Sequence, residues 1–112
     1  MAIPTRVIRV EDLPESPLAA SAHFHAAILP ILEVERGDVV TLVLPEADHT
    51  HRGWRVAALG ALARALAPAR INAVAGGDAP AQAQAIAFIE QAPGLTGQVL
   101  PLDGSGARGV LD

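Results

Sequence analysis

Four histidines stand in two His-x-His pairs, His23/His25 and His49/His51, and the second pair lies in the most polar stretch of the chain, Glu46 to Arg52. Imidazole is a common metal ligand and the ordinary acid–base group near neutral pH. Spacing decides which pair could act together. His23 and His25 fall in a helical pattern, where residues two apart point in different directions, so they read as solvated or core-edge side chains. His49 and His51 fall in a loop, and in an extended backbone residues two apart point the same way. With Asp48 and Glu46 beside them they could approach a divalent ion. No third ligand at a useful spacing completes the set, and a polar surface loop accounts for the same residues, so no metal is expected. Arg52 adds a fixed cation able to hold a carboxylate or phosphate. Asp48, His49, His51 and Arg52 therefore form the candidate ligand loop.

The elements on either side must position that loop. Before it, Val39 to Leu44 (VVTLVL) has the continuous β-branched and apolar character of a strand covered on both faces. Pro45 ends the strand, so the loop leaves a strand's carboxyl end, where open α/β sheets hold ligands. After it, Trp54 to Ala67 reads as an alanine-rich helix. Trp54, Val56, Leu59, Leu62 and Leu66 make an apolar stripe for a sheet face. Ala57, Ala58, Gly60, Ala61 and Ala65 make a second, small-residue surface that another helix could approach closely; Gly60 costs this helix about 1 kcal/mol relative to alanine. Pro68 stops the helix, Ala69 to Val74 follows as a strand, and Gly76-Gly77 releases the backbone.

Upstream, Arg6 to Val10 reads as the first strand and Glu11 to Ser16 as a loop. Ser16-Pro17 starts a helix with a capping hydroxyl and a first-turn proline. That helix runs to about Leu32, with Leu18, Ala22, His25 or Ala26, and Leu29 on one face and Pro30 kinking or ending it. Glu35 to Asp38 is a turn. Downstream, Ala79 to Gln91 is a helix with Ala85, Phe88 and Ile89 inward, Pro93-Gly94 breaks it, and Gln98 to Leu102 is the last strand. Asp103 to Asp112 is a glycine-containing tail. Strands alternating with helices predict an α/β domain over residues 1–112: a three-layer parallel sheet of about four strands with flanking helices.

A chain of 112 residues supports only a modest core. In its apolar fraction, 51 %, alanine is the commonest residue, and there are three aromatic residues. A net charge of −4 argues against a nucleic-acid partner, which calls for a basic stripe. All eight basic residues are arginine, which together with the Ala, Gly and Pro abundance reads as the codon bias of a GC-rich bacterial genome. There is no cysteine, no signal-peptide pattern and no run of roughly 20 apolar residues. A cytoplasmic protein without membrane partners is expected.

Ala61 to Ala67 (ALARALA) and Ile71 to Gly77 (INAVAGG) resemble the "LTRALA…IRVNAVAPG" run of short-chain dehydrogenases/reductases. Thr96 to Gly104 (TGQVLPLDG) resembles their "TGQVLPVDGG" close. Leu18 to Pro30 and Gly37 to Val43 resemble the helix and strand that precede the family's active-site tyrosine. The resemblance covers residues 17–104 and implies a truncated Rossmann-like sheet, the second half of such an enzyme. The glycine-rich turn that receives pyrophosphate has no counterpart in this sequence, so no cofactor is expected. Carried over position by position, the family's asparagine falls on Pro17, its serine at or near Val43-Leu44, its tyrosine on Arg52 and its lysine on Val56. Arginine keeps its proton and valine cannot hydrogen-bond a ribose, so ordinary ketoreductase chemistry is not expected. Gly76-Gly77-Asp78 reads as a turn rather than a remnant of a nicotinamide site.

In that family the two helices corresponding to 17–32 and 52–67 form a subunit interface. The resemblance thus implies a homo-oligomer, a dimer or a tetramer, with Ala57, Gly60, Ala61 and Arg64 at the interface. The leading expectation is a non-catalytic, dehydrogenase-like protein that self-associates or binds. One alternative is a non-catalytic subunit that docks on a full-length dehydrogenase paralogue. Another is a ligand-binding protein or enzyme that uses the loop from Glu46 to Arg52.

Overall fold

The strand Val39–Leu44 has all six side chains buried, and the rest of the fold is laid around it. In the computed structural model, which describes residues 5–34 and 37–102, it is the second strand, β2. The elements run β1 (Thr5–Arg9), α1 (Pro17–Val34), β2, a 3-10 turn (His49–His51), α2 (Arg52–Leu66), β3 (Arg70–Ala75), α3 (Ala79–Glu90) and β4 (Val99–Pro101). All pairings are parallel, in the order β1-β2-β3-β4, with Thr5 opposite Val39, Val39 opposite Arg70 and Ala73 opposite Val99. This is an α/β, Rossmann-like arrangement.

Alternation along the strands sorts the core into two faces. Val40, Leu42 and Leu44 of β2 and Ile71 and Ala73 of β3 pack with Phe24, Ile28 and Leu32 of α1 and Ala58, Leu59 and Leu62 of α2. Val43 and Val74 point the other way, onto Ile89, Ala85 and Ile86 of α3. The sheet is therefore a middle layer, with α1 and α2 on one side and α3 on the other. Because the strands advance in one direction while α3 changes sides, the third crossover has the opposite hand to the first two. Parallel crossovers are overwhelmingly of one hand, so this is an uncommon connection.

The sequence motifs acquire structural reasons at β3. Asn72, with no exposed surface, donates Nδ2–H to the Leu95 carbonyl (3.0 Å) and accepts from the Gln98 amide at Oδ1 (3.0 Å). Thr96 Oγ1 accepts from the Ile71 amide. These bonds continue the β3 edge where β4 is too short to reach. Gly97, at φ +75°, lies against Ala63, Leu59 and Gly60 of α2, with 3.2 Å between a Cβ built on it and the Ala63 methyl. Arg70 completes the junction by donating to the carbonyls of Ile89, Glu90, Ala92 and Leu95, which closes the C-terminal end of α3.

Several expectations about helix faces are corrected. The buried side of α1 is Ala20, Phe24, Ile28 and Leu32; Leu18 is 86 % exposed, and Ala22, Ala26 and Leu29 also face out. Both stripes have four-residue spacing, and the one carrying the phenylalanine removes more apolar area from water. Pro30 does not end α1, which continues to Val34, because the ring lies on the exposed side, where water can meet the carbonyl it frees. Val56 is 47 % exposed: the sheet-facing arc of α2 runs through Arg55, Ala58, Leu59 and Leu62 instead. Phe88 is 62 % exposed and Ile86 takes its place beside Ile89. The small-residue surface of α2 is divided. Ala58 belongs to the core and Gly60 faces Gly97, with Arg64 reaching back over it, while Ala57, Ala61 and Ala65 are exposed. The expected tail from Asp103 lies outside the described residues.

Candidate ligand cleft at the carboxyl ends of the strands

The loops after β1 and β2 and the start of α2 meet at one end of the sheet. Asp48 organises them. Its carboxylate accepts from the Thr50 amide (2.9 Å) and the Thr50 hydroxyl, capping the 3-10 turn that leads straight into α2. These two bonds hold the Asp48 carboxyl below the usual aspartate range, helped by the nearby histidines.

That turn corrects the reading of the histidine pair. The backbone from His49 to His51 is helical rather than extended, so the two imidazoles diverge: His49 is exposed and His51 is buried. His51 is fixed at both ring nitrogens. The indole N–H of Trp54 can only donate, and it reaches His51 Nδ1 at 3.0 Å; the Glu15 carbonyl can only accept, and it lies 2.9 Å from Nε2. His51 is therefore the Nε2–H tautomer with no lone pair left for a ligand. It ties the β1–α1 loop to α2, as a structural pin. His25 likewise bonds back within α1, to the Ser21 carbonyl, while His23 is exposed.

The residue that sequence reasoning missed is Arg55, one turn beyond Arg52. It is only 5 % exposed, yet no carboxylate among the described residues pairs with it. Its Nη1 donates to the Pro45 carbonyl at 2.9 Å, its guanidinium stands 5.6 Å from the Trp54 ring, and its Nε is buried with no hydrogen-bond partner. Burial alone lowers its pKa from the ordinary arginine value. The signal was available: a cation on the sheet-facing arc of an apolar helix, in register with Leu59 and Leu62.

Arg55 forms part of two clefts. One, of about 370 Å³, lies between the β1 loop (Asp12 to Glu15) and the β2 loop (Pro45 to Asp48), with His51 and Arg55 in its wall. The other, of about 220 Å³, lies between the start of α2 and the ends of β3 and β4. Asp48, His49, His51 and Arg52 all border this second cleft, joined by the apolar surfaces of Val56, Val99 and Pro101. The four expected loop residues are thus brought to one cleft, although not as a metal-ligand set. At the far side of the sheet end, Gly76 and Gly77 adopt φ of +72° and +78°, and Asp78 caps α3 through the Ala81 amide. Gln82 closes the turn on the Gly76 and Gly77 carbonyls.

A family model described as short chain dehydrogenase-like protein matches residues 8–102. The chain belongs to the short-chain dehydrogenase-like family. Neither the curated proteins nor the solved structures give a match. The family match takes in the end of β1, Ile8 and Arg9, as well as the stretch from residue 17 onward that the motifs indicate. Within this short-chain dehydrogenase-like fold, Pro17 opens α1, Leu44 is the buried last residue of β2, and Arg52 and Val56 stand on successive turns of α2 at the 220 Å³ cleft. Two of the four positions assigned by resemblance to catalysis therefore border the same cleft as Arg55. No helix among the described residues is long and apolar enough to cross a membrane.

Proposed function

We propose that this chain is a non-catalytic, degenerate member of the short-chain dehydrogenase-like family that acts as a self-associating binding module. One observation carries the reading: the positions that the resemblance assigns to catalysis hold Pro17, Leu44, Arg52 and Val56. Carbonyl reduction needs a group that passes a proton to the developing alkoxide. A guanidinium keeps its protons at neutral pH, and proline, leucine and valine side chains have none to give. The relined cleft favours holding a ligand over transforming it.

The test is hydride transfer from reduced nicotinamide cofactors to a panel of ketones and aldehydes, followed by the cofactor's absorbance. No oxidation above the blank is expected. Substrate-dependent oxidation that heat denaturation abolishes would overturn the non-catalytic reading.

Self-association is supported by the bare apolar side chains of one helical layer, Leu18 and Leu29 on α1 and Val56 on α2, beside the exposed Ala57 and Ala61. Light scattering over a concentration series should give a dimer or tetramer, and Ala61→Glu should reduce it to a monomer. A monomeric wild-type chain at every concentration would overturn this part and favour docking on a full-length dehydrogenase paralogue.

A further inference from the structure

We infer that the 220 Å³ cleft binds a small aliphatic carboxylate, with Arg55 as its anion anchor and Arg52 as a second cation at its mouth. The inference rests on the binding-module reading and names the ligand class of the same cleft.

The argument begins with cost. Moving a guanidinium out of water is expensive, and proteins normally offset that with a paired carboxylate and a full set of hydrogen bonds. Arg55 has one carbonyl, Pro45, and an aromatic ring, and its Nε has nothing. A carboxylate among the described residues would remove the deficit, and the nearby acids do not supply it. Asp48 is turned to the Thr50 amide and hydroxyl. A bound carboxylate would supply the missing charge, and a guanidinium is the side chain best shaped to receive one.

The remaining walls select the rest of the ligand. Val56, Ala75, Val99 and Pro101 add apolar surface to the same cleft. A short hydrocarbon tail is favoured there, whereas a phosphate, which has none, would press hydrated oxygens against the same walls. The small volume limits the tail to a few carbons. Arg52 is exposed, so its contribution is attraction at the rim rather than a desolvated contact.

The probe is sodium butyrate, titrated into the full chain labelled with nitrogen-15, with the arginine Nε–H signals read by NMR. The Arg55 signal should move and saturate in the low-millimolar range or below. Butyramide, its neutral counterpart, should leave it unmoved, and inorganic phosphate should compete at least about tenfold less well, equivalent to 1.4 kcal/mol. Arg55→Met, read at the Arg52 Nε–H signal, should weaken butyrate at least about tenfold, the loss of a charged hydrogen-bonded pair, and Arg52→Met, read at the Arg55 signal, only about threefold, the loss of a rim charge. The wild-type titration stands even if Arg55→Met fails to fold. A signal that never saturates, an equal response to butyramide, or phosphate binding as tightly as butyrate would each overturn the assignment. Cofactor oxidation in the hydride-transfer assay would refute the non-catalytic reading and leave this titration untouched.

Discussion

Replacing Asn72 by alanine tests the account of how β4 is fastened to the sheet. Two bonds disappear, and they are not equivalent. The Leu95 carbonyl still accepts from Arg70 at 3.0 Å, so losing the Asn72 donor removes an ordinary hydrogen bond, about 0.5–1.5 kcal/mol. The Gln98 amide donates to Asn72 Oδ1, and leaving it unsatisfied costs about 1–3 kcal/mol. The sum is about 3 kcal/mol, a large part of the roughly 5–15 kcal/mol that stabilises a domain of this kind. With a urea slope of about 2 kcal/mol per molar, the unfolding midpoint should fall by about 1.5 M. Thr96→Val orphans the Ile71 amide in the same junction and should cost about 1–3 kcal/mol alone. Because both changes loosen one connection, the double variant should lose less than the sum. A midpoint for Asn72→Ala within about 0.3 M of wild type would refute the proposed role of the junction, since that shift allows only about 0.6 kcal/mol and the two terms together come to at least about 1.5 kcal/mol.

Gly77→Ala should destabilise the chain by about 3 kcal/mol, measured by urea unfolding. Its φ of +78° disfavours any side chain, and the added Cβ would stand 2.7 Å from Leu102 Cβ. Ile89→Ala, which empties the centre of the α3 face, should cost about 2–5 kcal/mol, whereas Phe88→Ser next to it should stay within about 0.5 kcal/mol; equal effects would contradict the corrected orientation of α3. The Asp48 carboxyl should titrate below the usual aspartate value when followed by NMR, and Thr50→Val should raise it. With the folded pKa depressed, its contribution to stability is present above the unfolded value and is lost as pH falls through the folded one, where the 3-10 turn should fray first.

The alternation of strands and helices is legible because VVTLVL and INAVA have the nearly continuous apolar and β-branched character of a doubly covered strand. The family motifs were legible too, and their buried logic explains why: Asn72, Thr96 and Gly97 are each held by a specific bond or close approach. The face of α1 was not legible. Leu18-Ala22-Leu29 and Phe24-Ile28-Leu32 have equal claims by period, and only the apolar area each buries against the sheet chooses between them. The divergence of His49 and His51 is not legible, because whether Asp48 caps a helical turn or merely sits beside them in an extended loop depends on its backbone conformation. Arg55 is hidden in the sequence because a charge on the sheet-facing arc of an apolar helix runs against the pattern by which such arcs are recognised. The side on which α3 packs lies beyond local pattern, since the helix has similar periodicity on either face of the sheet.

Because each strand pairs with the strand that follows it in the chain, the sheet can grow in the order in which a ribosome releases it. The β2–β3 pair carries core on both of its faces and gathers most of the long-range packing before β4 has emerged. Until Leu95, Thr96 and Gln98 are synthesised, that nascent core presents Ile71 and Asn72 at an open edge with their polar groups unanswered. The segment from Leu95 to Pro101 then acts as a clasp. A polypeptide halted just before it would expose a strand edge suited to pairing with another copy, so arrested or prematurely terminated synthesis is the stage at which this fold is most prone to aggregate.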